Sequence, residues 1–227
     1  MKAVAAFLFS LIFGSLLFGQ SGLNLDFGAR AGVPITKPLA ESETALVNGV
    51  PCCFTSTDSI ARTFIVGPAF GVTFFDRMRV EFDVLHRPWR QVQEFLTFPA
   101  TTPSSTTRID GTLWDFPVMA NYRFLTGAVR PYAGAGLVLL RSVSATHQVT
   151  DIIPFPKTLV NRSSGDEGFP AYTAQAGVEW KHAHFVIRPE ARYSYWRQLS
   201  TSFGPIIQRN QVELLVGFAF ETSKNNK

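Results

Sequence analysis

Apolar and charged residues alternate along several stretches of this chain, with the apolar side chains at one parity of the numbering and the charges at the other. Between Phe185 and Trp196, for example, aromatic or aliphatic residues fill the odd positions, while Arg188, Glu190 and Arg192 fill even ones. Successive side chains of a β-strand point to opposite faces, so this is the pattern of a strand with two different surroundings. The pattern predicts an all-β protein.

Eight strands follow from this alternation. Their predicted spans are Leu23–Val33, Thr63–Phe75, Met78–Val92, Thr112–Phe124, Val129–Ser142, Ala171–Trp180, Phe185–Trp196 and Asn210–Phe220. The fifth has the weakest pattern, because Gly134 and Gly136 leave its register ambiguous.

The connections between these strands alternate in length. Short ones lie at residues 76–77, 125–128 and 181–184, and long ones at 34–62, 93–111, 143–170 and 197–209. Alternating short turns and long loops, with an even strand count, are typical of bacterial outer-membrane barrels. We therefore expect an eight-stranded antiparallel up-and-down transmembrane β-barrel, with short periplasmic turns and long extracellular loops.

The volume of the side chains indicates which face points outward. The apolar face carries many rings, namely Phe27, Phe64, Phe70, Phe74, Phe82, Trp114, Phe116, Tyr122, Phe124, Tyr172, Trp180, Phe185, Tyr193, Tyr195, Phe218 and Phe220. An eight-stranded barrel encloses only enough space for side chains to fill, so these rings must point out, towards lipid. The opposite face combines the charges with small residues, namely Gly28, Gly32, Gly67, Ala69, Gly71, Gly177, Gly217 and Ala219.

Five segments together resemble the small bacterial outer-membrane barrels typified by the transmembrane domain of OmpA and by OmpX. They are FIVGPAFGVTFF (64–75), WDFPVMANYRF (114–124), RPYAGAGL (130–137), RPEARYSYW (188–196) and QVELLVGFAF (211–220). The resemblance implies an outer-membrane barrel over the whole mature chain. It also implies that Phe218 and Phe220 serve as the signal read by the barrel-assembly machinery, although the following polar tail departs from the family's usual terminal aromatic residue.

The first residues predict export. Lys2 precedes an uncharged apolar run from Ala3 to Phe18, and small or polar residues follow it, as in a secretory signal peptide. The run is shorter than the ~20 residues of a spanning helix. We expect a signal peptide over residues 1–21, a barrel domain over 22–220 and a polar tail over 221–227, with the mature protein in the outer membrane.

Charge and cysteine content narrow the function further. The net charge of +4 is too small, and too interspersed with acids, to predict nucleic-acid binding. Cys52 and Cys53 are neighbours in sequence and do not staple a fold. A vicinal disulfide, an intermolecular bridge and two thiols stay open, and we expect the pair on the extracellular side.

The inward charges are the main candidate site. They are Arg79, Glu81, Asp83, Arg123, Glu179, Arg188, Glu190, Arg192 and Glu213. Enclosed charges need partners, so we expect a paired network that fills the lumen, with Arg188, Glu190 and Arg192 facing Glu179 and Glu213 on the adjacent strands. A narrow gated pore or a small-ligand site is the alternative.

The residue types of hydrolytic and metal sites are present but scattered. His182 and His184 fall in a short turn, and two imidazoles alone make a weak metal site. His86 and His147, with Ser142 or Ser144 as nucleophiles, outline a lipid-A-modifying barrel enzyme only if geometry brings them together. We predict no catalytic, cofactor-binding or metal-binding residues.

The sequence therefore favours a non-enzymatic integral outer-membrane barrel whose loops serve a structural, adhesion or surface-binding role. Its expected partners are outer-membrane lipid, lipopolysaccharide and the barrel-assembly machinery, and the sequence names no extracellular ligand. A small-solute pore, the barrel enzyme and a secreted soluble lipid carrier are the alternatives. Four prolines inside the predicted strands oppose a closed ladder because each lacks a donor, namely Pro68, Pro117, Pro131 and Pro189.

Overall fold

The computed structural model describes residues 23–37, 42–44, 53–61, 64–97, 105–152, 155–160, 170–197 and 208–222. The elements in these ranges are twelve β-strands: β1 (Leu23–Pro34), β2 (Ser42–Thr44), β3 (Cys53–Ala61), β4 (Ile65–Phe74), β5 (Met78–Asp83), β6 (Leu85–Thr97), β7 (Ser105–Arg123), β8 (Val129–Ile152), β9 (Phe155–Val160), β10 (Ala171–His182), β11 (Phe185–Trp196) and β12 (Asn210–Thr222). In the same ranges, no helix is long and apolar enough to cross a membrane.

The strands close into a ring. The order around it is β1, β4, β5 continued by β6, β7, β8, β10, β11 and β12, and β12 pairs with β1 to complete it. The pairings around the ring are antiparallel. The predicted eight-stranded antiparallel barrel is therefore confirmed, and we call the space that it encloses the lumen.

The wall of the barrel is much taller on one side. In segments that were predicted as long loops, β6 continues to Thr97. There β7 and β8 stay paired as far as Ser105 and Ile152. In the same region β3 flanks β6, β2 flanks β3, and β9 flanks β8. We call this six-stranded region the extended sheet. Most of its residues were predicted as loops, but their many threonines and valines favour strands.

The other side of the wall is low. At the long-connection end, β1 ends at Pro34, β10 begins at Ala171, β11 ends at Trp196 and β12 begins at Asn210. At the opposite, short-turn end, β12 continues to Thr222, so Glu221 and Thr222 belong to the barrel rather than to the tail. Glu221 stands in register with Asp26 of β1 across the seam that joins the first and last strands.

Tight turns join strands at the short-turn end, as predicted. Phe75 and Asp76 both have positive φ, at 51° and 60°, and the amide of Arg77 donates to the carbonyl of Phe74 at 3.3 Å. Two consecutive positive φ values match the twist of a β-hairpin. Ala183, with φ 53°, lies in the turn between β10 and β11.

The four prolines are accommodated in different ways. A register shift accompanies Pro117, between Asp115 and Pro117 in the pairing of β7 with β8, as expected for a bulge. Pro68 instead accepts a bond from the amide of Val84 at 3.0 Å but cannot return one. Val84 is the residue that separates β5 from β6, so the missing donor explains that break.

The other two prolines also lose one ladder bond each. Pro131 accepts from the amide of Phe124 at 2.9 Å, at the short-turn end of β7. Around Pro189, the registered pairs of β10 with β11 pass from Gly177–Glu190 directly to Trp180–Ile187. Each defect is confined to one seam, so the ring still closes.

The outer surface is an apolar belt. Leu214, Val216 and Phe218 are exposed on β12, and Val66 and Phe70 on β4. All sixteen rings predicted to point outward are exposed or partly exposed. Phe220 contacts Phe27 and Phe185 at the short-turn end, with ring centroids 5.8 Å apart in both pairs. Monomeric soluble proteins rarely expose a continuous apolar surface of this kind.

Candidate functional site: the charged lumen

The same alternation that exposes the belt carries the charges inward. All nine side chains of the predicted network are buried, with at most 5 % exposure. On β11 the inward positions include Arg188, Glu190 and Arg192, while Ile187 and Tyr193 are exposed. A shift of one residue would exchange these faces.

Ion pairs cross the middle of the lumen. Arg192 Nη2 on β11 lies 2.9 Å from Asp83 Oδ2 on β5, and these strands stand on opposite walls of the ring. Arg30 Nη1 on β1 lies 2.6 Å from Glu81 Oε1, and it also bonds to Asp83. Gln175 Nε2 on β10 donates to Glu81 Oε1 at 3.3 Å. Side chains from four strands therefore meet across the lumen.

The short-turn third holds a second cluster. Asp26 accepts from Arg79 Nη2 at 2.7 Å and from Arg188 Nη1 at 3.1 Å. Glu179 accepts from Arg188 Nε at 2.8 Å and from Arg123 Nη2 at 3.0 Å. Arg188 thus joins the two carboxylates, and its predicted pairing with Glu179 is present.

The long-connection third is closed by the ion pairs of Arg87 and by apolar side chains. Glu213 pairs with Arg87 on β6, which also lies 3.4 Å from Asp115. The predicted partners of Glu213 were the arginines of β11, but Arg87 reaches it from across the lumen. Large apolar side chains are also buried near this end of the strands: Ile65, Leu85, Trp89, Leu113 and Trp196 are all at most 2 % exposed.

Several members of the network were not among the predicted site residues. Asp26, Arg30 and Arg87 have the inward parity of their strands, so alternation alone could have identified them. Tyr132, whose hydroxyl donates to Glu190, lies on the glycine-rich strand β8, whose register the sequence left ambiguous. Its inward position follows from the pairing of Tyr132 with Arg123 and Gly177.

The buried charges balance among the described residues. Six arginines are buried, at positions 30, 79, 87, 123, 188 and 192, against eight acids, at 26, 81, 83, 115, 179, 190, 213 and 221. Two further cations compensate at the short-turn end, where Lys181 Nζ lies 2.6 Å from Glu221 Oε2 and Arg130 Nη1 lies 3.9 Å from Glu179 Oε2. Desolvated charges are stable only when they are paired. The balance therefore indicates that the network has a structural role, which is to fill the lumen.

Two of the histidines considered for enzyme or metal chemistry contact a ring and a backbone carbonyl. His86 packs against Trp114, with ring centroids 4.7 Å apart. His184 Nδ1 lies 3.2 Å from the Glu221 carbonyl in a short turn. The described residues contain no group of three His, Cys, Asp or Glu side chains that could hold a metal ion. Ser142, Ser144 and His147 lie on β8, within the extended sheet.

No family model and no curated protein match this sequence. Solved structures do resemble it. Neisserial surface protein A is 17% identical with a TM-score of 0.45, over 88% of this chain and 97% of that one. The outer membrane protein OprG from Pseudomonas aeruginosa is 13% identical with a TM-score of 0.49, over 90% and 98%. The attachment invasion locus protein Ail of Yersinia pestis is 12% identical with a TM-score of 0.43, over 89% and 99%.

Proposed function

We propose that this protein is a non-enzymatic integral outer-membrane barrel, which anchors a surface-binding sheet outside the cell. The observation that carries the proposal is that polar side chains face inward and apolar side chains face outward, the reverse of a soluble protein. Charges and amides are buried in the lumen, whereas large apolar side chains such as Phe218, at 55% exposure, cover the outside. Only the hydrocarbon of a bilayer stabilises this arrangement, and only a closed ladder satisfies the backbone there.

The dimensions of the belt support the same conclusion. On β4 and the residue before it, every outward position from Phe64 to Phe74 carries an apolar side chain or proline. That length matches the roughly 9–11 residues of a tilted transmembrane strand. Polar pairs then mark the outer edge of the belt. Arg90 Nε lies 2.6 Å from Asp110 Oδ1, and Tyr193 donates to Asn210 at 2.7 Å.

The extended sheet is the part of the protein that supports a binding role. It continues about nine residues beyond Pro88, which is roughly 30 Å along the strand at about 3.3 Å per residue, and it consists of strands rather than irregular loops. With the short turns in the periplasm, as is usual for such barrels, this sheet faces the medium. Binding residues in proteins are often carried on such projections above a rigid scaffold.

The diametric pair of Arg192 with Asp83 is the observation that disfavours a pore. A pair in this position, together with Arg30 and Gln175, fills the path that a solute would take. The charges of the lumen therefore hold the walls together through a connected network of hydrogen bonds.

Four measurements on the full chain test the proposal. The folded protein should sediment with outer membranes and should change its gel mobility on heating, because a closed ladder resists detergent. In planar bilayers it should give no steady conductance steps, and lipid A from cells that overproduce it should keep its mass. Recovery as a soluble periplasmic monomer would contradict the membrane anchor. Conductance steps would indicate that the protein is a pore. A changed mass of lipid A would indicate that it is an enzyme.

Assembly is part of the same proposal. The final strand presents Phe218 and Phe220 on its outward face, and we expect the barrel-assembly machinery to recognise them. Replacing Phe218 and Phe220 together with alanine should lower the amount of heat-modifiable protein in the membrane. The matched change of Phe70 and Phe74 on β4 removes similar apolar area from an internal strand and should have the smaller effect on assembly.

A further inference from the structure

The low side of the barrel has an uneven distribution of charge. In the described residues of β1, β10, β11 and β12 and their ends, every acid points into the lumen and is buried, namely Asp26, Glu179, Glu190, Glu213 and Glu221. Three cations at the long-connection end of the same wall are instead exposed, namely Lys37, Arg197 and Arg209. Among the described residues, the outer edge of this wall therefore carries exposed cations and no exposed acid.

Backbone hydrogen bonds hold the three cations just beyond the ends of adjacent strands. The amide of Trp196 donates to the carbonyl of Arg209 at 2.9 Å, so Arg197 and Arg209 lie near one another across the β11–β12 seam. The amide of Ile35 donates to the carbonyl of Val212 at 2.8 Å, and Val212 donates to Thr36 Oγ1 at 2.9 Å. These bonds carry Lys37 alongside the beginning of β12.

Arg209 lies at the level where the belt ends. Its guanidinium carbon is 6.0 Å from the centre of the Tyr195 ring, and Tyr193 on the same strand bonds to Asn210. Tyrosines with one apolar and one polar end are typical of the membrane–water interface. The cations of this edge therefore lie at the depth of lipid headgroups.

An apolar groove lies below these cations and spans β10, β11, β12 and β1. Its volume is about 630 Å³, and its outward lining includes Val33, Ala176, Pro189, Ala191, Leu214 and Val216. The groove is concave because alanine and proline occupy outward positions that carry rings or branched chains elsewhere on the belt. It also coincides with the seam where β10 and β11 lose registered pairs around Pro189.

We propose that this wall binds one phosphorylated lipid of the outer leaflet, with its phosphate on Arg197 and Arg209 of the cationic edge and an acyl chain in the groove. The proposal rests on the membrane insertion argued above. Guanidinium groups match phosphate oxygens in pairs of hydrogen bonds. The cations and the groove lie one above the other, in the order that a headgroup and its chain require.

The test uses the full chain in detergent micelles, with native mass spectrometry to measure retention of diphosphorylated lipid A. Changing Arg197→Gln together with Arg209→Gln should weaken binding about 25-fold, since each cation near a lipid surface is worth about five-fold. The control Arg108→Gln removes an exposed cation from β7, on the tall side, and should leave the affinity unchanged.

Two further ligands separate the lipid from its phosphate. Dephosphorylated lipid A should bind the unaltered protein as weakly as diphosphorylated lipid A binds the double variant. Inorganic phosphate should not displace the lipid, because it lacks the chain that fills the groove. Displacement by inorganic phosphate, or equal binding of the phosphorylated and dephosphorylated lipids, would overturn the proposal.

A second variant tests the groove without changing charge. Ala176→Leu with Ala191→Leu should fill the groove and weaken lipid A binding, whereas Ala120→Leu with Ala135→Leu adds the same apolar volume at a pair of exposed positions on β7 and β8 and should not. An equal effect of the groove variant and this control would also overturn the proposal. Gel mobility and membrane fractionation of the same samples report insertion separately, so a lipid site that fails is distinguished from a barrel that fails.

Discussion

Arg192 on β11 and Asp83 on β5 form an ion pair of 2.9 Å between strands that stand on opposite walls of the barrel. Asp83 also accepts from Arg30, and Arg192 also lies 3.3 Å from Glu190. The pair therefore links β1, β5 and β11 through the centre of the protein. Loss of Arg192 would leave the buried carboxylates with one cation too few.

We expect Arg192→Met to destabilise the barrel by about 3 to 5 kcal/mol, because a buried ion pair that loses one partner leaves an uncompensated charge. Urea unfolding in lipid vesicles, followed by tryptophan fluorescence, measures the change. Arg108→Met, which removes an exposed cation on β7, should stay within about 0.5 kcal/mol. Equal effects of the two substitutions would show that the lumen pair does not hold the walls together.

The second prediction concerns the depth at which residues of the apolar belt lie in the bilayer. Val216 lies near the middle of β12, and Val212 lies two outward positions nearer its long-connection end. Val216→Arg should cost about 2 to 4 kcal/mol and Val212→Arg about 0 to 1 kcal/mol, as the penalty for a cation falls towards the interface. The same urea titration measures both. Similar costs at the two positions would be inconsistent with a bilayer around this belt.

The third prediction concerns two glycines at the seam between β1 and β12. A Cβ added to Gly28 would lie 1.8 Å from the backbone oxygen of Phe218, whereas one added to Gly217 would find its nearest neighbour at 3.5 Å. Gly28→Ala should therefore destabilise the closed barrel by about 1 to 3 kcal/mol. Gly217→Ala should be neutral or stabilise it by up to about 1 kcal/mol. The heat-modifiable fraction and the urea midpoint report both, and a reversed order would refute the close approach at this seam.

The fourth prediction concerns Cys53, which we expect outside the cell. Cys53 begins β3 and pairs with Thr97 at the far end of the extended sheet, while Cys52 lies outside the described residues. On intact cells under reducing conditions, a membrane-impermeant maleimide should label the protein. The variant that combines Cys52→Ser with Cys53→Ser contains no cysteine and serves as the blank. If labelling required a permeabilised outer membrane, Cys53 would lie on the periplasmic side and the predicted topology would be wrong.

The strands were predicted correctly from the sequence wherever one face of the strand contacts lipid and the other face lines the lumen. The span predicted for Phe185–Trp196 coincides with β11, and the ends of β1 and β4 differ from their predictions by at most two residues. The predicted spans were too short at the long-connection ends of β6, β7 and β8. Beyond the bilayer the two faces of a strand meet similar surroundings, so alternation no longer marks where the strand continues.

Alternation also determined which side chains point inward, because it depends only on the local geometry of an extended chain. It could not determine their partners. Glu213 meets Arg87 rather than an arginine of β11, and Tyr132 meets Glu190, because these contacts depend on how the eight strands are staggered when the ring closes. The cationic edge and its groove arise in the same way. Its three cations are far apart in sequence, and only the pairing of the last strand with its two neighbours brings them together.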